Sequence, residues 1–498
     1  MSLNKHERMV HALFQWCISG IYLFAFLSLY FQVRGLYGPD GLLPAHLQLK
    51  SDATLLEKFK AKFTLLWLAP YLKLNVACAI ELYCIMGGLL SAGVIIFERF
   101  RNRLSFFVLW LMYFSIYQVG QTFMWFQWDI LLLETGFLTI FLSQNLQNST
   151  NEYGSHHNLI FWLVKWLLFR LMFASGIVKL TSMCPAWWSL TALNWHYESQ
   201  CIPTALAWYA HQLPEFFQKL SVVVTFVIEI PIPFLFFSPL RSLRLFAFYS
   251  QVPFTDLDRG IQDDLWPIIQ KWHSDSEYYH IANSYGLFRS MTGVGGRPEL
   301  VIEGSDYYYK EWKELPFYYK PGNLSAPLGF VAPHQPRLDW QMWFAALGSY
   351  QRNPWFVHLI YKILQGSKDV AYLMAPSPFK NNPPKYVRSS LYTYHYTKLR
   401  NMSEFFIQSR KIKKWWRREY SKEYTPPLSK DDPSLIKYIH DMGWNSKNKV
   451  DDEMAEGTLF VILNFLYQHS RDISPTAFIL HSYLISVLTC FIKHFLTF

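Results

Sequence analysis

A series of long apolar stretches constrains this chain more than any other feature. They run from Val10 to Val33, Leu65 to Phe97, Leu104 to Gly120, Ile130 to Ser143, Leu159 to Leu180 and Leu220 to Phe237. Most approach the ~20 residues that a bilayer-spanning helix requires, since only a helix satisfies its own backbone groups where water is absent. The stretch at Ile130 is short and must borrow Trp125, Phe126 and Trp128 at its edge. The first stretch follows Lys5 and Arg8 and has no small-residue cleavage site, so it reads as an uncleaved signal anchor. A final candidate, Thr476 to Phe498, is interrupted by His481 and Lys493. Only 16% of the residues are charged, against about a quarter in soluble domains. The mean hydropathy of +0.07 is nonetheless too low for a chain that is membrane throughout.

The polar remainder lies between about Thr255 and Gly457, where Pro, Gly, Tyr and charged residues rise. RPELVIEG (Arg297 to Gly304) alternates as a strand does and follows the glycine-rich turn TGVGGRP. KYVRSSLYTYHYTKLR sets Tyr386, Tyr392, Tyr394 and Tyr396 on one face of a strand. Trp340, Trp343, Phe344 and Leu347 follow helical spacing, and a second helix is predicted over Pro354 to Gln365, stopped by Gly366. The expected fold class is therefore a multi-pass α-helical membrane protein with a C-terminal β-rich α+β soluble domain. Its parts are a membrane region over 1–254 with about six helices, a soluble domain over 255–457 that is long enough for a core of its own, and a hydrophobic tail over 458–498 that can form a further transmembrane helix.

The formal charge of +10 has no long basic block behind it. The densest run, RKIKKWWRRE, either lies on lipid headgroups with Trp415 and Trp416 inserted or is a solvated face with two packed tryptophans. Membrane lipid rather than nucleic acid is the expected partner of these charges. ERFRNR (Glu98 to Arg103) and PLRSLRL (Pro239 to Leu245) fall on one side by counting crossings, and short basic loops favour the cytosol. The longer Arg34 to Lys62 segment argues weakly the other way. The balance gives a cytosolic N-terminus.

Two carboxylates sit in WFQWDILLLETGFLTIFL. Asp129 lies among tryptophans and reads as an interfacial residue or an N-cap. Glu134 lies ~13 Å from the loop at Ser143, and Arg170 on the returning span lies ~16 Å from it, at 1.5 Å per residue. An unpaired ion at mid-bilayer costs roughly 3 kcal/mol, so Glu134 and Arg170 are expected to form a structural ion pair. Glu229 can pair with Lys179 or stay protonated.

No nucleophile elbow, zinc helix, phosphate loop or calcium loop occurs, so no catalytic residue, cofactor or metal is expected. His156 and His157 read as solvent-exposed. His196 and Glu198 are the residues a membrane enzyme acting on lipids or secreted proteins would use; Glu134, Arg170 and Glu229 are those a transporter would use. Cys184 and Cys201 flank a short polar stretch and can form a disulfide or remain free. Asn148, Asn323 and Asn401 stand in glycosylation sequons. Counting crossings puts Asn148 with the basic loops, and starts the soluble domain on that side too unless the chain crosses once more near Leu243 to Pro253.

Several long strings resemble the lipase maturation factor family: LYGPDGLLPA, WFQWDILLLETGFL, FRLMFASGIVKL through WWSLTALNWHYESQ to LAWYAHQLP, TFVIEIPIPFLFF, NSYGLFRSMTGVGGRPELVIEGS, APHQPRLDWQMWFAALGSYQRNPWF and KKWWRREY. The resemblance covers about Val10 to Gln251 and Ala282 to Tyr424. It implies a multi-pass endoplasmic reticulum protein with a lumenal C-terminal domain that helps immature secretory lipases, such as lipoprotein lipase, fold, dimerise and leave. It brings no enzymatic chemistry. Trp340, Trp343 and Phe344 are then candidate client contacts, against the alternative of a core stripe. After FAFYSQ the family continues with further hydrophobic segments, whereas this chain passes to VPFTDLDRGIQDD and resembles an internally shortened form. The tail after about Asn448 carries no such resemblance.

If Glu134 and Arg170 neutralise each other, Glu134→Arg and Arg170→Glu should each lower the steady-state protein level, and the charge-swapped double variant should restore it. A double variant as poorly expressed as either single one would remove the pair from the account.

Overall fold

The computed structural model describes residues 5–49, 53–144, 156–240, 278–286, 288–308, 310–379, 382–398, 414–444 and 457–496. Asn148 and Asn401 lie outside these residues. Among those described, five helical segments are long and apolar enough to cross a membrane: Arg8–Tyr30, Val76–Ile96, His157–Thr181, Glu215–Phe237 and Pro475–Lys493.

The first belongs to α1 (Lys5–Tyr30). The second apolar run of the sequence proves to be two elements. A 3₁₀ helix over Leu65–Leu72 ends at Lys73 in the left-handed conformation, and α2 (Val76–Ile96) begins afresh with the Asn75 side chain accepting from the Cys78 N–H at 2.8 Å. That cap satisfies a helix-end donor, which explains why the run divides there. Helices α3 (Arg103–Tyr117) and α4 (Gln127–Leu142) have 15 and 16 residues, shorter than a spanning helix, and form an inner hairpin. Then come α5 (His156–Thr181), α6 (Ala192–Ser199) and α7 (Glu215–Glu229), the last closed at Ile230–Pro231 and followed by a 3₁₀ turn over Ile232–Phe237. Proline has no N–H for the ladder, which accounts for the stop.

Close packing in the bundle depends on bare backbone at two positions. A Cβ on Gly87 of α2 would stand 2.5 Å from the Phe26 ring of α1, and one on Gly136 of α4 would collide with the Tyr22 hydroxyl. Small residues allow this approach where no hydrophobic driving force acts between helices.

The C-terminal domain is a mixed α+β unit. Its antiparallel sheet has the order β2-β1-β3-β4, from β1 (Arg297–Ser305), β2 (Lys313–Glu314), β3 (Tyr386–Tyr396) and β4 (Trp416–Ser429). Central β1 is buried over nearly its whole length, with Glu299 paired inside to Arg297 at 2.7 Å and Lys320 at 2.6 Å. Helices α8 (Arg337–Ala346) and α9 (Pro354–Gln365) pack on one side; α9 starts at Pro354 and stops at left-handed Gly366, as its sequence predicts.

The core of this domain runs on into that of the bundle. One continuous cluster of buried side chains joins Phe26, Tyr113 and Phe123 of the bundle to Leu300, Met342 and Phe356. The tail is part of the same body. Helix α10 (Thr458–Ser470) reaches Arg34 through Asn464 at 2.6 Å, and α11 (Pro475–Leu496) lies against α1 and α2, with Tyr483 over Gly20 and Phe478 against Phe31.

Polar contacts fix where the domain docks. Near the end of α1, Ser28 Oγ is 3.0 Å from His334 Nδ1, and Gln32 accepts from the Arg337 N–H at 2.7 Å. Arg337 reaches the first turn of α4 and grips Asp129 with both terminal nitrogens, at 2.7 and 2.8 Å. Asp129 also accepts from Tyr113 at 2.5 Å. Asp129 is thus not the N-cap, a position taken by Phe126; it is fully buried, and a cation from the other domain meets it there. The C-terminal domain stands at the bundle end where α1 finishes.

Removing one member of a buried ion pair strands the other, at a cost of about 3–5 kcal/mol. Asp129→Leu should therefore sharply lower the melting temperature of the detergent-extracted protein, and Asp129→Leu with Arg337→Leu should recover most of the loss. Equal losses in the single and double variants would show that the pair does not hold the domain.

Candidate functional site

Buried ionic groups collect along the junction between bundle and sheet. Glu134, on α4, meets Arg170 of α5 in a close ion pair. Its second oxygen accepts from the Asn283 N–H at 3.1 Å, the Asn283 amide at 2.9 Å and the Tyr285 hydroxyl at 2.5 Å, while Arg170 donates to the Asn283 carbonyl at 3.0 Å. The strand entering the C-terminal domain is therefore tied to the pair. One span further, Lys179 lies 2.8 Å from Glu229, with both side chains buried. The three acids and bases that a transporter would use fall into two separate, neutralised pairs. A further pair had no sequence signal for its partner: Glu81 of α2 receives Arg34 at 2.5 and 2.9 Å.

His196 and Glu198 do not face each other. Two residues apart on α6, they are turned ~200° from one another about the helix axis. His196 Nε2 lies 2.9 Å from the Gln200 amide, and burial pulls its pKa down to about 4, so the ring is neutral. Glu198 instead faces two histidines from distant segments, with His211 Nε2 3.8 Å and His395 Nδ1 3.7 Å from its oxygens. The Tyr396 N–H donates to it at 2.9 Å. Burial nonetheless pushes its pKa up to about 7, against the attraction of Arg417, Arg297 and Lys398. Desolvation also draws His211 down to about 4.

The aromatic helix is mostly core. Trp343 is buried and donates to the Ser199 carbonyl at 2.9 Å; Trp340 packs against Trp128 with ring centroids 4.8 Å apart. Of the three candidate contacts only Phe344 is substantially open, at 42% exposure, with Leu347 beside it. The reason is tertiary: α8 is wedged between sheet and bundle, so both of its flanks are covered. Trp415 and Trp416 are likewise packed, against Trp208, Tyr394 and Tyr396, rather than laid on lipid. His157 is buried next to His11 rather than exposed.

Cys184 and Cys201 are unpaired. Cys184 accepts from the Met291 N–H at 3.4 Å, whereas Cys201 sits by Arg297, which its carbonyl binds at 2.8 Å. Different segments of the entering strand hold the two residues, so the disulfide is not formed. Asn323 is exposed on the C-terminal domain, its side chain accepting from the Ser325 N–H at 2.9 Å.

Comparison with known proteins decides the ancestry. The lipase maturation factor transmembrane domain matches residues 9–257, and the lipase maturation factor C-terminal domain matches residues 281–426. The chain belongs to the lipase maturation factor family. It is 35% identical to lipase maturation factor 2 of Xenopus laevis, across 98% of this chain and 92% of the relative. With lipase maturation factor 2 of Gallus gallus the identity is 36%, across 99% and 91%. Lipase maturation factor 1 of Homo sapiens is 28% identical, across 85% and 88%. No solved structure matches. The alignment with the Xenopus laevis protein runs over 660 positions against 498 residues here, so a sizeable part of the relative lies opposite gaps in this chain. Coverage of 98% also brings most of the tail after Asn448 inside the match, although its sequence shows no resemblance by inspection.

The Glu198 carboxyl gives this junction a pH dependence. Its folded pKa is raised, so its stabilising share is complete below about pH 4.5 and is lost as pH climbs through about 7. His211, with a depressed value, acts in the opposite sense between about pH 4 and 6.5. Glu198→Gln should isolate the carboxyl: its stability relative to the parent should grow from about pH 5 to about pH 8 by on the order of 3 kcal/mol, read from thermal melts. A difference independent of pH would contradict the burial of the charge.

Proposed function

We propose that the chain is a non-enzymatic folding factor of the endoplasmic reticulum membrane, assisting immature secretory lipases to fold, assemble as dimers and leave for export. Family membership over nearly the whole chain supports this reading, since the relatives' names describe lipase maturation. The observation that carries it to a mechanism is the docking of the C-terminal domain at the end of α1, opposite the N-terminus. With the N-terminus cytosolic, as the short basic loops favour, the domain faces the lumen, where secretory proteins fold. A client-binding surface must be held against a membrane yet left open to the lumen. The buried pairs supply the holding, and Phe344, Leu347 and Phe330 supply open apolar surface, Phe330 being 78% exposed. Exposed apolar patches on a polar domain are the usual mark of an interaction surface.

Asn323 reports the topology. The parent should shift on endoglycosidase treatment, and Asn323→Gln should abolish the part of that shift due to this sequon. The client surface is tested in cells lacking the protein: the parent should restore secretion of active lipase, and Phe344→Asp with Leu347→Asp should fail to do so at unchanged protein level. An Asn323 that never carries sugar, or lipase secretion indifferent to the protein, would overturn the proposal.

A further inference from the structure

A cavity of about 880 Å³ opens at the junction, between α6, the helical turn Ala207–His211, the start of α7 and the end of β3. That volume lies in the range of small-molecule sites. Its polar lining is incomplete. Asn194 Oδ1, Gln218 Oε1 and His211 Nδ1 are all buried without a hydrogen-bond partner among the described residues, and all three residues line this one cavity. Gln218 is 3% exposed, and its amide nitrogen donates to the Ala210 carbonyl at 2.7 Å, which leaves the oxygen as the unused end. Glu198 adds a carboxylate whose histidine neighbours stand at 3.7 and 3.8 Å, beyond direct hydrogen-bond distance. Buried polar atoms left unmatched are costly, so the arrangement calls for an occupant.

The lining identifies the occupant by elimination. Its inner part offers two amide oxygens and the Glu198 carboxyl, so it asks chiefly for donors. Its rim carries exposed Lys398 and Arg417 with exposed Glu215 beside them, so it presents donors and an acceptor without favouring either sign of charge strongly. Hydroxyl groups do both, donating inward and accepting from the rim. The half-buried Trp195 indole lines the same cavity and provides an apolar face for the C–H side of a ring. We propose that this cavity binds a neutral polyhydroxylated ligand, a carbohydrate, either free or attached to a glycoprotein. The proposal does not depend on the client being a lipase.

The test uses the full chain in detergent. Neutral oligosaccharides are titrated and binding is followed by saturation-transfer NMR, first with the free glycans and then with the same glycans on a denatured glycoprotein. The parent should bind. Trp195→Ala and Gln218→Leu should each weaken binding by about tenfold or more. Variants are compared at matched circular dichroism and melting temperature, with Asn194→Leu in reserve should one of them not fold. Binding of both forms identifies the sugar itself as the ligand; binding of the attached form alone, lost in the variants, identifies a glycoprotein glycan. Absence of binding to either form, binding untouched by the variants, or a preference for anionic or amine compounds would each overturn the assignment.

Discussion

The Asp129–Arg337 pair is the contact on which the remaining architecture depends. It lies where the first turn of α4 meets α8, fully buried, with guanidinium nitrogens at 2.7 and 2.8 Å and the Tyr113 hydroxyl at 2.5 Å. Charges withdrawn from water are tolerated only where geometry and further hydrogen bonds offset the desolvation. A pair of this kind stabilises one arrangement of the two domains far more than any shifted one. Apolar surfaces alone would let the C-terminal domain slide or turn, because dispersion contacts are nondirectional.

The other buried pairs extend the same logic. Arg34–Glu81 secures the first connection to α2 and, through Asn464, to α10. Glu134–Arg170 gathers Asn283 and Tyr285, so the segment leading to β1 is fastened to the bundle before the sheet begins. Lys179–Glu229 joins α5 to α7. Each unites segments distant in sequence at a place where the bilayer cannot stabilise an unpaired charge. Together they turn a set of helices and a sheet into a single body with a continuous core, a suitable platform for presenting a surface to another protein. The Glu198 cavity lies on this body at the seam.

Legibility in the sequence followed the range of the interactions. Helices α1, α2, α5 and α7, the strands β1 and β3, and α9 with its proline start and glycine stop depend on local composition and caps, and they can be read directly. Glu134 and Arg170 were legible because they lie on adjacent antiparallel spans, where depth can be counted from a shared loop. The partner of Asp129 was not legible, because it stands 208 residues away, on a helix whose own pattern suggested an aromatic stripe. Glu81 gave a signal, as an acid inside an apolar run, but nothing pointed to Arg34. His196 and Glu198 looked like a pair only until the helical turn placed them on different sides.

By itself, then, the sequence determined that this protein crosses membranes, that a mixed α+β domain follows the crossings, and which family it resembles, because hydropathy, period and long motifs are properties of neighbouring residues. Only the tertiary structure decided which end of the bundle carries that domain, that it shares its core with the bundle, and which acids meet which bases. Those outcomes depend on groups brought together from far along the chain, where the requirement to neutralise buried charge selects one docking among many.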